Sequence, residues 1–216
     1  MRIVYLHGFA SSPASGKACF FKERFAECGV PVQIPELDGG DFTSLTITGQ
    51  LEIVERTVGG RPAVLMGSSL GGYLAALFAS RCPIIERLIL MAPALRFPSR
   101  WQELYPAADM EEWRRKGVWS IYHFGSRGPR PIGYQLVEDS QRYDDEPEFS
   151  QPALIFHGMR DDVVPVDFSR QYAARRSNVT LRLLDSGHEL TDVLDSMWSG
   201  VGQFLGIGQP GLYTEG

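Results

Sequence analysis

Short apolar runs recur along the chain at Ile3 to Leu6, Val32 to Leu37, Ala63 to Met66, Leu88 to Met91, Ala153 to Phe156 and Val179 to Leu184. Ala63 to Met66 is unbroken by any polar residue, as a strand buried on both faces requires. Between the runs the spacing turns helical, near Gly16 to Cys28, Ser44 to Thr57, Leu70 to Ser80, Asp167 to Arg175 and Thr191 to Leu205. Strand, helix, strand in succession predicts an α/β domain: a mainly parallel sheet of about six strands, right-handed crossovers and helices on both faces. Catalytic groups in such sheets gather at the carboxyl ends of the strands.

Residues 96 to 150 interrupt the rhythm, because the stretch is too long for an ordinary crossover between the fourth and fifth strands. Within it Asp109 reads as a helix N-cap with Glu112 three residues on. Arg114, Arg115 and Lys116 suit the helix C-terminus, and Gly117 ends it. The stretch is also the most aromatic part of the chain. It predicts a small lid inserted into a single domain spanning 1–216, with Trp101, Trp113 and Trp119 walling an apolar acyl pocket. Gly206 to Gly216 reads as a tail rich in Gly and Pro.

The length of 216 residues fits one substantial core and not two enzyme domains. A net charge of -5 provides no basic field to gather phosphates, so nucleic acid is not an expected partner. The cysteine count is odd, and Cys19 and Cys28 fall on opposite sides of one predicted helix, which predicts no disulfide framework and a reducing compartment. The apolar start is far too short for a signal-peptide core, and no run approaches a membrane span. A cytoplasmic protein without membrane insertion is expected. No His or Cys pair has metal-ligand spacing, and neither metal nor cofactor is expected.

The chemistry centres on Gly67-Ser68-Ser69-Leu70-Gly71, a G-x-S-x-G pattern at a strand-to-helix junction. The pattern alone is weak; the buried strand before it and the helix after it make it specific. Ser69 is in register as the nucleophile, whereas Ser68 is not, since Met66 stands where its leading glycine would be. A serine needs a base, an orienting acid and donors for an oxyanion. His188 lies just beyond the final strand and is the candidate base; His7, His123 and His157 read as structural. The loop His157-Gly158-Met159-Arg160-Asp161-Asp162-Val163-Val164-Pro165 offers two adjacent carboxylates. Asp161 is favoured, because it holds the acid's position in the H-G-x-x-D-x-x-V-P loop of many hydrolases. The order Ser69, Asp161, His188 is that of the α/β-hydrolases. The loop His7-Gly8-Phe9-Ala10 is able to bring the Phe9 amide beside that of Leu70 as an oxyanion hole.

The run Tyr5-Leu6-His7-Gly8-Phe9-Ala10-Ser11-Ser12-Pro13-Ala14-Ser15-Gly16-Lys17-Ala18, with Gly67-Ser68-Ser69-Leu70-Gly71-Gly72, resembles the YqiA-like (UPF0227-type) branch of the α/β-hydrolases, small bacterial esterases. The resemblance implies a trimmed hydrolase sheet and activity on small-molecule carboxylic esters or acyl thioesters. The leading expectation is a serine esterase that passes through an acyl-Ser69 intermediate on short to medium acyl groups. The alternatives are an acyl-CoA thioesterase and, from another class, a noncatalytic hydrolase fold that binds a ligand.

Overall fold

The inner apolar runs became strands because each has a hydrophobic layer to meet on either side. The computed structural model describes residues 1–207, so the expected tail lies, from residue 208 on, outside the described residues. The first half holds β1 (Ile3–Leu6), α1 (Gly16–Glu27), β2 (Val32–Gln33), α2 (Ile47–Val58), β3 (Ala63–Ser68), α3 (Leu70–Ala79) and β4 (Ile85–Met91). An insert follows with α4 (Trp101–Leu104), α5 (Ala107–Lys116), β5 (Val118–His123), β6 (Gly128–Gly133) and α6 (Gln135–Ser140). The chain then closes with β7 (Ala153–Gly158), α7 (Val166–Ala174), β8 (Val179–Leu184) and α8 (Leu194–Leu205). Six strands form one sheet in the order β2-β1-β3-β4-β7-β8, every neighbouring pair parallel. This is the α/β-hydrolase fold.

Strand side chains alternate between two layers, as a period of two demands. Val4, Leu6, Leu65, Leu88, Leu90 and Ile155 join the layer of α2 and α3. Ile3, Tyr5, Met66, Ile89, Met91 and Phe156 join the layer of α1 and α8, built around Phe21, Phe25, Met197 and Trp198. Helix α3, which carries the nucleophile candidate at its start, is buried along nearly all its length. Among the described residues no helix is long and apolar enough to cross a membrane.

Two expectations are corrected. The second strand runs only from Val32 to Gln33, not to Leu37, because Pro35 lacks a ladder donor and restricts Ile34 before it. Asp109 is not an N-cap: α5 begins at Ala107 behind Pro106, which leaves Asp109 inside the first turn, where it meets the positive end of the helix. Gly117 does end that helix, at φ 75°. The insert also contains an antiparallel hairpin, β5 with β6, paired from Val118 against Gly133 to His123 against Gly128. Trp101, Trp113, Ile132 and Leu136 bury the insert into the same layer as α2 and α3.

Candidate active site

The turn from β3 to α3 has almost no room. A Cβ on Gly67 would lie 2.2 Å from the Gly71 carbonyl oxygen, and one on Gly71 would lie 2.1 Å from that of Leu6. Only glycine fits either place. Between them Ser69 takes φ 52° and ψ -117°, a strained backbone for a residue with a side chain. Its N–H donates to Met91 O at 2.9 Å, and its carbonyl accepts from Gly72, Tyr73 and Ala94. Ser68 stays on the strand, 5% exposed.

Three loops at the carboxyl ends of β3, β7 and β8 bring Ser69, Asp161 and His188 together. Ser69 Oγ lies 3.0 Å from His188 Nε2, and His188 Nδ1 lies 2.8 Å from Asp161 Oδ2. The ring therefore donates from Nδ1 and presents Nε2 as an acceptor to the serine. Asp161 Oδ1 accepts the Val163 and Val164 amides at 2.9 and 2.7 Å. Burial works to raise the Asp161 pKa, but hydrogen bonds from His157, His188 and the Val164 amide outweigh it and hold the carboxyl well below the usual carboxylate range. Asp162 is exposed.

His157 satisfies backbone as expected, through Nε2 and Val164 O at 3.0 Å, but it also reaches the site. The same nitrogen lies 3.1 Å from Asp161 Oδ2, and Nδ1 lies 2.8 Å from Ser169 Oγ. The four-residue spacing from His157 to Asp161 was the available signal for that contact. His7 and His123 are structural: His7 Nε2 accepts the Leu37 amide, and burial lowers its pKa. The His123 ring stands edge-on to Phe42, with centroids 4.6 Å apart.

Gly8 lies against the elbow, since a Cβ there would be 3.5 Å from Ser69 Cβ. Phe9 and the left-handed Ala10, φ 53°, follow it, while the Leu70 amide belongs to the first residue of α3. The Ala10 carbonyl accepts two amides from the tip of the insert's hairpin, Phe124 at 2.7 Å and Gly125 at 3.4 Å. The hollow beside this loop, bordered by Phe9, Leu37, Phe42 and Gln50, encloses about 10 Å³, room for one water. A larger groove of about 370 Å³, between Leu51, Val58, Phe78 and Tyr143, does not include Ser69.

Trp101 and Trp113 are 4% and 1% exposed and stand edge to face at 5.6 Å. Their indole N–H groups donate to Ser140 Oγ and Ile132 O, so both belong to the interior of the insert. Trp119 is half-buried on β5. Among the described residues no cluster of three or more His, Cys, Asp or Glu is arranged to hold a metal ion.

A family model described as an uncharacterised protein family, UPF0227, matches residues 2–204. The chain belongs to UPF0227. It is 30% identical over 131 residues to a Pongo abelii protein named palmitoyl-protein thioesterase ABHD10, mitochondrial, a match covering 58% of the UPF0227 chain and 42% of that protein. The chain thus aligns with under half the length of this relative. Among solved structures it resembles mouse alpha/beta hydrolase domain-containing protein 10, with a TM-score of 0.80, 22% identity and coverage of 95% and 89% of the two chains. Est1E from Butyrivibrio proteoclasticus, with ferulic acid bound, gives a TM-score of 0.82 at 21% identity over 94% and 87%. At those identities the two structures speak for the fold alone, that of the α/β-hydrolases.

Proposed function

We propose that this chain is a serine hydrolase that cleaves carboxylic esters or thioesters of short to medium acyl groups through an acyl-Ser69 intermediate. The observation that carries the reading is the unbroken hydrogen-bonded line from Ser69 through His188 to Asp161 on a strained elbow. His188 Nε2 takes the Ser69 proton as Oγ attacks the acyl carbon, then returns it to the leaving alcohol or thiol. The Phe9 and Leu70 amides stabilise the oxyanion. Water, deprotonated by the same nitrogen, releases the acid and regenerates Ser69. Asp161 holds the tautomer and balances the imidazolium charge. Trp119, half-buried on β5, is the proposed member of the acyl wall. The name of the thioesterase relative supports keeping thioesters within the substrate class. A cytoplasmic location belongs to the same proposal, supported by the thiols of Cys19 and Cys82.

Fluorophosphonate labelling with peptide mapping, followed by p-nitrophenyl esters and acyl-CoAs of graded length, tests the reading. Label on Ser69 with ester or thioester turnover is the expected result. A chain that neither labels nor turns over any of them is a binding protein on a hydrolase fold, and the proposal is then wrong.

A further inference from the structure

Lysine is rarely buried unless something compels it, because its head group loses hydration that only a partner can replace. Lys17 lies on the apolar stripe of α1 with Ala18, Phe21 and Phe25, and it is 6% exposed. Its Nζ donates to the backbone carbonyl of Glu189 at 2.6 Å, across 172 positions of sequence. Glu189 directly follows His188. The Glu189 carboxylate is farther off, 3.8 Å from Nζ, and mostly exposed, so the buried partner is the main chain.

The loop that Lys17 grips is under strain. Leu190 is 1% exposed and holds φ 55°, a conformation costly for a side chain of that size. Such a residue persists only where its surroundings fix it. Ser186 bonds the Asp192 carboxylate across the loop, and Arg160 N–H donates to Ser186 O at 3.0 Å. Those contacts hold the side of the loop before His188 and its far end. Lys17 holds the residue between His188 and the strained Leu190.

We propose that Lys17 is a positioning residue for His188, fixing through the Glu189 carbonyl the loop geometry that keeps the imidazole in line between Asp161 and Ser69. This rests on the serine-hydrolase reading above. The imidazole has to meet two partners at once, at 2.8 and 3.0 Å, and a displacement of about 1 Å in such a group can slow chemistry about a hundredfold. Burial lowers the Lys17 pKa, while the charges of Glu189 and Asp161 raise it. The amine donates to the carbonyl in either protonation state.

The test uses the full chain and a p-nitrophenyl ester, with fluorophosphonate labelling in parallel. Lys17→Met keeps the length of the stem and removes the donor. Its kcat should fall about tenfold to a hundredfold with KM within about threefold, and labelling should slow in step. Glu189→Ala keeps the carbonyl and should stay within about twofold. Phe25→Leu, about two turns along the same stripe, lowers stability without touching the loop and should also keep kcat within about twofold. If Lys17→Met does not fold, Lys17→Gln, a shorter donor, should fold with an intermediate kcat. Wild-type kcat in a folded Lys17→Met or Lys17→Gln, or a Phe25→Leu loss equal to that of Lys17→Met, would overturn the inference while leaving the hydrolase reading intact. A wild-type chain that does not label sinks both.

Discussion

Replacing Asp161 with asparagine changes no shape and removes one acceptor, so it isolates what the carboxylate does. Asp161 receives four N–H groups: His188 at 2.8 Å and His157 at 3.1 Å on Oδ2, Val163 at 2.9 Å and Val164 at 2.7 Å on Oδ1. An amide offers one oxygen, so two of the four must face an NH2. If the oxygen stays toward the histidines, both valine amides lose their acceptor, at about 1–3 kcal/mol for the part-buried Val164 amide and less for the exposed Val163 amide, which water can satisfy. If the amide flips, His188 must carry its proton on Nε2 and can no longer accept from Ser69. The first outcome predicts a loss of about 1–3 kcal/mol in urea unfolding. The second predicts a kcat loss of about 10³- to 10⁴-fold on a p-nitrophenyl ester. Both effects are expected in part, with kcat falling at least about a hundredfold. Asp162→Asn, exposed beside it, should stay within about threefold in kcat and about 0.5 kcal/mol in stability. If Asp162→Asn is the more damaging, or Asp161→Asn keeps kcat within tenfold, the role given to Asp161 is wrong.

The neighbouring serines part in the same way: Ser69→Ala should lose at least about three orders of magnitude in kcat and all phosphonate label, while Ser68→Ala stays within about tenfold, and label mapped to any other serine refutes this. The pKa of Asp161 is depressed, so its contribution to stability is present above the unfolded value of about 3.9 and is lost only as pH falls through the lower folded value. Asp161 therefore adds no limb of its own to the fall of kcat/KM on mild acidification; a pH profile with a limb that Asp161→Asn abolishes would contradict that. Trp113→Ala should cost about 3–5 kcal/mol through its buried volume, whereas Trp119→Ala should fold and move the acyl-length optimum of kcat/KM upward. An unchanged length profile in the Trp119 variant removes that residue from the acyl wall.

Legibility in the sequence followed the strength of the local constraint. The β3 to α3 elbow could be read from five residues because backbone fills the space beside Gly67 and Gly71. The sheet could be read because both faces of its inner strands are covered, which leaves no polar position to blur the runs. Pro129 and Pro131 hid β6, since proline argues against a strand, yet a two-stranded ribbon has free edges on which a missing donor does no harm. The pairing of Lys17 with Glu189 was invisible because its partner is a carbonyl, and every residue has one. Only the lysine's place on the stripe of Phe21 and Phe25 hinted at it.

The two amides that the hairpin tip gives to the Ala10 carbonyl bear on how such a chain can be re-engineered. A designer seeking a new substrate range would naturally transplant the whole insert between β4 and β7 from another family member, treating it as a cassette. Besides its two splice junctions and its buried face, the cassette is attached at a residue near the start of the chain. A graft whose hairpin is two residues shorter in each strand withdraws about 7 Å of ribbon from that point, and the loop bearing the Phe9 amide then loses its brace. Grafts should therefore be matched on hairpin length first and on pocket residues second. A shortened hairpin is expected to slow every substrate alike, which a screen of acyl-chain preferences alone would miss.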